Sequence, residues 1–253
     1  MADEVKSNQT ETVQAETVQA QGNALVTLDN WDSFEKVNLS NRVLEKNLIV
    51  SATRKDPAHK QFDILRTRMM QVIQDRDWRR IGITSPTDGC GKTFVAANLA
   101  ISLARSETNR VLLMDMNLRK PDLARVLGLQ RDISMEDYLA GLVEPEEFYL
   151  RLGPSLIAGL NSRSISEPSE LMQNVMTADV FDEMQDILAP DVSIFDLPPL
   201  LNSDEAVACL PHLDGVLLVI GGGLSTEKEI IAAENLLKNQ IPLLGVVLNN
   251  AED

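Results

Sequence analysis

The chain is predicted to fold as an α/β domain, a mostly parallel sheet with helices on both faces, and three observations carry that expectation. Short β-rich apolar runs recur at 80–84, 111–114, 156–158, 192–195, 215–220 and 243–248. Between them, apolar residues fall at helical spacing, as in Val95, Leu99 and Leu103 or Ile230, Ala233 and Leu237. The runs end in functional residue types: one enters a glycine loop, and two end in the acids Asp115 and Asp196. In such a sheet, ligands gather outside the carboxyl ends of the strands, so the residues just after the runs are the candidates for chemistry.

Length and composition set the frame. The 253 residues hold 44% hydrophobic and 24% charged side chains, a globular balance that suits one α/β domain over 47–253 with an appendage over 1–46. That appendage carries a duplicated Glu-Thr-Val-Gln-Ala (11–15, 16–20) and no sustained amphipathic period, so it is expected to be a weakly ordered tail in which Trp31 and Phe34 are the only anchors. No apolar run approaches the ~18 residues of a membrane span, and the acidic start lacks the basic region of an export signal. Two cysteines without a CxxC pair and two histidines give neither a disulfide framework nor a zinc set, so a reducing cytoplasm is expected.

Charge is uneven within a net of −15: residues 132–205 hold two basic against sixteen acidic side chains. That excludes non-specific nucleic-acid binding through this stretch. Residues 54–80 reverse the sign, with eight basic against four acidic side chains, forming a basic island that includes Arg66, Arg68, Arg79 and Arg80. A solvated helix face and a contact with an acidic partner or anionic lipid are both open readings of it.

The glycine loop is Ser85-Pro-Thr-Asp-Gly-Cys-Gly-Lys-Thr93, set between the 80–84 strand and a helix expected from about Phe94 to Arg105. Gly89 and Gly91 let successive backbone N–H groups turn inward, and the helix N-terminus adds its positive end. Lys92 reaches β/γ-phosphates and the Thr93 hydroxyl can hold Mg²⁺, which makes this a P-loop for ATP. Pro86 stands where the strict pattern has glycine or alanine. The flanking Asp88, Cys90 and Phe94 complete the expected nucleotide-binding stretch; Cys90 is read either as a low-pKa redox thiol or as a small residue in a variable slot. Asp115 and Asp196, each delivered by a buried strand to the same edge, suit a magnesium ion held through water and a base near the γ-phosphate.

The motifs SPTDGCGKT, LLMDMNLRKP and SIFDLPP resemble the Walker A, Walker A′ and Walker B motifs of the bacterial tyrosine kinases that accompany exopolysaccharide synthesis, in the MinD/ParA-like branch of P-loop ATPases. GKTFVAANLAIS, LRKPDLARVLGL, EPSELM and GVVLNN extend the resemblance over about Leu48 to Asn250, closest to the stand-alone autokinases of exosortase-linked loci. The resemblance implies transfer of the ATP γ-phosphate to tyrosine, and a membrane polysaccharide co-polymerase-type protein as activating partner. It further implies Lys92 as phosphate clamp, Thr93, Asp115 and Asp196 as the magnesium set, Asp115 as the acid near the attacking hydroxyl, Arg119 as orienter of the Walker A′ turn, and Asn249 against the adenine.

Three departures matter. Position 117 is Asn where the family carries a second acid; an amide neither accepts a proton nor neutralises a cation. The family's oligomerising Glu-x-x-Arg-x-x-Arg aligns with Lys60, Asp63 and Arg66, which leaves self-association open. Tyr138 and Tyr149 are the only tyrosines, so no tyrosine-rich acceptor tail is present. A nucleotide-binding pseudokinase switch and a ParA-like positioning ATPase stand as alternatives, the latter opposed by Thr87 at the position of that branch's signature lysine and by the acidic 132–205 stretch.

Overall fold

The computed structural model describes residues 31–106 and 108–251, and in it all six sequence-predicted runs are strands of one eight-stranded sheet. They are β2 (Arg80–Thr84), β3 (Val111–Asp115), β5 (Leu156–Gly159), β6 (Val192–Asp196), β7 (Gly215–Gly221) and β8 (Leu243–Asn249). The other two are β1 (Glu35–Lys36) and β4 (Leu150–Gly153), and the spatial order is β1-β4-β5-β3-β6-β2-β7-β8. Every neighbouring pair is parallel except β4 with β5, which runs antiparallel with a bulge between Arg151 and Gly153.

The central strands β3 and β6 are buried along their whole length, as apolar runs covered on both faces should be. On one face, α3 (His59–Arg76) and α4 (Lys92–Ala104) pack Phe62, Met69, Val95, Leu99 and Leu103 into the core, and α1 (Asn41–Lys46), α2 (Val50–Thr53) and α5 (Leu123–Leu127) border them. The other face is covered by α6 (Met135–Leu139), α7 (Pro145–Phe148), α8 (Pro168–Met172) and α9 (Val175–Leu188), and toward the β8 edge by α10 (Glu205–Cys209) and α11 (Glu227–Leu237). The helix after the glycine loop begins two residues earlier than its apolar period suggests, because Gly91 is its N-cap and Lys92 and Thr93 already lie in the first turn. Among the described residues no helix is long and apolar enough to cross a membrane.

The boundary drawn at 46/47 moves. Residues 1–30 of the expected tail lie outside the described residues, but the part from Trp31 onward is packed into the fold. Trp31 and Phe34 are buried in the second core cluster, the Trp31 indole donates to the Leu188 carbonyl at 2.7 Å, and the Arg110 guanidinium lies 5.3 Å over its ring. β1 then adds to the sheet beside β4, a pairing held further by the ion pair of Arg151 on β4 with Asp32 just before β1. Two residues of strand leave no period to read, which is why the segment looked unstructured in the sequence. Trp31→Ala is expected to cost about 3–5 kcal/mol in urea unfolding, the usual loss for a buried large aromatic; a change below about 1 kcal/mol would return the segment to tail status.

Candidate active site

The carboxyl ends of β2, β3 and β8 surround a cleft of about 620 Å³, lined by the glycine loop, the β3–α5 connection, the α1–α2 turn and the end of β8. Gly89 and Gly91 hold φ of +83° and +85°, which turns the loop's backbone toward this space. A Cβ on Gly91 would stand 2.2 Å from Asn249 Nδ2, which instead donates to the Cys90 carbonyl at 3.0 Å. Thus Asn249, from the end of β8, pins the loop that Gly91 keeps open. Lys92, Thr93, Phe94, Asp88 and Asn117 all line the cleft, with Lys92 only 7% exposed.

Beneath the loop lie two fully buried carboxylates. Asp115 and Asp196 are register partners on adjacent parallel strands, both with no solvent exposure. Neither oxygen of Asp196 has a hydrogen-bond partner among the described residues. Burial pushes its carboxyl up to about 6, with the Lys92 ammonium and the Thr93 hydroxyl holding it lower than burial alone would. Asp115 is held well above the usual carboxylate range, by burial first and by the Asp196 charge second. Both of its oxygens are engaged, Oδ1 accepting from Asn117 N at 3.3 Å and Oδ2 from Leu123 N at 3.0 Å. Asp115 thus fastens both ends of the loop between β3 and α5; neither it nor Asp196 lines the cleft itself, whereas Asn117 forms part of the cleft wall.

Arg119 stands behind that wall, its Nε 3.7 Å from Glu205 Oε2. The buried Glu205, at the start of α10, accepts from Leu118 N at 2.5 Å and Arg119 N at 3.4 Å, so it anchors the same loop from the opposite side. Cys90 turns its buried thiol away from the cleft, toward the Thr87 carbonyl at 3.3 Å and Ser225 Oγ at 3.4 Å. Asp88 faces Lys120 at 3.6 Å and accepts from Asn202 at 3.3 Å.

Sequence reasoning missed Glu205, and it missed the cleft residues Asn47, Leu48, Lys120, Asp122, Arg125 and Asn250. Lys120, Asp122 and Arg125 sit inside the quoted LRKPDLARV stretch and could have been found there. Asn47 and Leu48 give no sequence signal, because only the α1–α2 turn brings them across to α5, where Asn47 Nδ2 donates to the Val126 carbonyl at 2.8 Å. The histidines are spent structurally, His59 on the Asp56 carbonyl and His212 on that of Met172.

Comparison with known proteins fits this geometry. Residues 81–253 match the CobQ/CobB/MinD/ParA nucleotide binding domain. Tyrosine-protein kinase YwqD of Bacillus subtilis is 31% identical over 209 residues, covering 81% of this chain and 86% of that protein. The chain belongs to the bacterial tyrosine-kinase family. A putative tyrosine-protein kinase, EpsB of Ralstonia solanacearum, is 30% identical over 83% of this chain, and the chain spans only 28% of that longer relative. The kinase domain of Escherichia coli tyrosine kinase ETK superposes with a TM-score of 0.72 at 26% identity, covering 80% of each chain. In this chain the fold brings a phosphate loop and two strand-end acids to one edge of the sheet.

The donor set suits magnesium. Among the described residues no three acids, histidines or cysteines cluster as a self-sufficient metal cage. A hydroxyl with an unpartnered buried carboxylate behind it is what a hexahydrate-loving ion needs, since such ions keep waters and phosphate oxygens as ligands. In the ligand-free protein the same carboxylate is a burden. With a folded pKa of about 6 against 3.8, the folded state holds the extra proton between those values, so this group's contribution falls as pH rises from about 4 to 6. Asp196→Asn is accordingly expected to stabilise the ligand-free protein at pH 8 by roughly 1–3 kcal/mol, and to leave it unchanged at pH 4; urea unfolding at the two pH values checks both.

Proposed function

We propose that the chain is an ATP- and Mg²⁺-dependent protein-tyrosine kinase acting in exopolysaccharide production, with the cleft at the carboxyl edge of β2, β3 and β8 as its catalytic site. The observation that carries this reading is the phosphate loop set over the unpartnered Asp196, with Lys92 and Thr93 between loop and acid.

Each residue then has a physical task. Backbone N–H groups of Gly89 to Thr93 and the N-terminal end of α4 bind the phosphates, and Lys92 supplies the countercharge at the β/γ end. Thr93 and, through water, Asp196 would hold the magnesium ion, which supplies neutralisation of the charge spread over the transferring phosphoryl group. Asn249 and Asn250 bound the adenosine end. Asp115, with Glu205 and Arg119, fixes the loop that carries Asn117, so Asp115 acts on the reaction by positioning. Phosphoryl transfer has little covalent work for a side chain to do, and placement supplies most of the catalysis.

Cytoplasmic placement and recruitment to a membrane co-polymerase-type protein belong to the same reading. The basic island is partly consumed inside the fold: Arg66 donates to the Ser102 carbonyl and Arg80 to that of Phe181. Arg68 and Arg79 remain exposed and are the members of the original four that a partner can meet. Asp63 of the degenerate oligomer motif is likewise taken up, by Arg54, Arg105 and the Ser102 hydroxyl.

Lys92→Ala is expected to abolish ATP binding measured by calorimetry; equal affinity in the two proteins would end this reading of the loop. Asn117→Asp places a carboxylate in the cleft wall and is expected to raise single-turnover phosphoryl transfer or ATP hydrolysis about tenfold, ~1.4 kcal/mol at the transition state, with ATP affinity nearly constant. A rate no faster than wild type would mean that the amide is not limiting. The same assay separates a kinase from a binding-only switch.

A further inference from the structure

The nucleotide cleft does not end at the phosphate loop. Its two extremes are set by the sheet: Asn249 ends β8 and Asn250 follows it, while Asn117, Asp122, Arg125 and Val126 follow β3. Four strand spacings separate β3 from β8, about 19 Å. With phosphates at the central loop and adenosine toward β8, the β3 extreme is where an acceptor must enter.

At that extreme stands Leu48, and its conformation is costly. It has φ of +59°, a left-handed backbone that a leucine rarely adopts, and its side chain is 61% exposed while lining the cleft. Two asparagine side chains hold it there. Asn98, fully buried on α4, donates to the Leu48 carbonyl at 3.2 Å and accepts from Ser51 N at 3.0 Å, and Asn47 bonds across to α5. The same helix that starts with Lys92 thus sets the position of an exposed apolar side chain at the mouth of the site.

Beyond Pro121 and Arg125, which border both spaces, the cleft continues into a second groove of about 420 Å³. Val43, Ala124 and Leu129 give it apolar surface, and Gln130, Asn161 and Ser162 give polar groups. Its cations are internally paired, Arg125 with Asp122 and Arg131 with Glu35, so it carries little net preference for charge.

Tyr138 and Tyr149 do not present an acceptor hydroxyl. Tyr138 and Tyr149 are 4% and 0% exposed, Tyr149 donates to the Tyr138 hydroxyl at 2.9 Å, and Tyr138 stacks on Phe148 with ring centroids 4.0 Å apart. A second copy of this chain hides the same two hydroxyls.

From these observations we infer that the groove beyond Leu48 is the acceptor site, and that it takes an extended, uncharged-to-mixed-charge segment of a different polypeptide, with its tyrosine ring packed on Leu48. This rests on the kinase reading above. In the reaction, the bond from the γ-phosphorus to the ADP oxygen breaks, ADP departs with that oxygen, the phenolic oxygen forms the new bond to phosphorus, and the phenolic proton passes to water at the open mouth.

The test uses the full chain, a random copolymer of alanine, glutamate, lysine and tyrosine, and two variants that spare the core. Leu48→Gly removes the side chain and relieves the left-handed strain. Gln130→Trp fills the groove from an exposed position. Binding of labelled copolymer with a non-hydrolysable ATP analogue is expected to weaken at least fivefold in each variant, the KM for copolymer phosphorylation to rise in parallel, and ATP affinity to stay within twofold in Gln130→Trp, whose position lies outside the nucleotide cleft. Copolymer affinity unchanged in both variants would overturn the acceptor site. Phosphate found on Tyr138 or Tyr149 of the folded protein would overturn the foreign acceptor. Variant-sensitive binding with no transfer by wild type would uphold the groove and defeat the kinase reading instead.

Discussion

Two carboxylates buried side by side govern this molecule. Asp115 and Asp196 share a register on β3 and β6, the two central strands with no exposure anywhere along them. Charge in that position is tolerated only with compensation, and each acid finds a different kind. Asp115 is satisfied by the backbone, accepting from Asn117 and Leu123, and so becomes the fastening of a loop. Asp196 is left unsatisfied by the protein, with only Lys92 and Thr93 close enough to favour its charge. The compensation it lacks is what a magnesium nucleotide brings, so ligand affinity and ligand-free instability have one source.

From this pair outward, the rest of the site is support. The Walker A′ loop hangs between Asp115 on one side and Glu205 on the other, with the Glu205 carboxyl itself raised by burial. The phosphate loop is held by Asn249 through the Cys90 carbonyl, which ties the outermost strand β8 to β2 across β7. The α1–α2 turn closes the far end through Asn47 and Asn98. Those anchors come from parts of the chain up to 159 residues apart in sequence, so the cleft exists only once the sheet is complete.

Much of this was legible in the sequence because it is periodic or local. Six strands, the phosphate loop and both strand-end acids follow from apolar runs, two glycines and their immediate neighbours. What escaped is non-local. β1 is two residues long and owes its existence to β4. Trp31 reads as a tail anchor until the Leu188 carbonyl and the α9 core reach it. Glu205 looks like one acid among many in an acidic stretch, and only its burial against Leu118 N distinguishes it. The family-derived role of Asp115 as an acid facing the reacting hydroxyl meets a carboxylate enclosed by two backbone donors, a relation of chain tracing that motif spacing does not encode.

The claim that the unsatisfied Asp196 waits for magnesium has a direct test in proton release. Binding of Mg²⁺-ADP to the full chain, measured by calorimetry at pH 6 in two buffers of different ionisation enthalpy, is expected to expel a substantial fraction of a proton per protein beyond what the nucleotide itself releases, because the ion favours the ionised acids. At pH 8, where Asp196 has already lost its proton, that contribution from Asp196 should disappear. Release that is absent at pH 6, or that is the same at both pH values in the Asp115→Asn protein, where Asp196 titrates without its neighbour, would contradict the account.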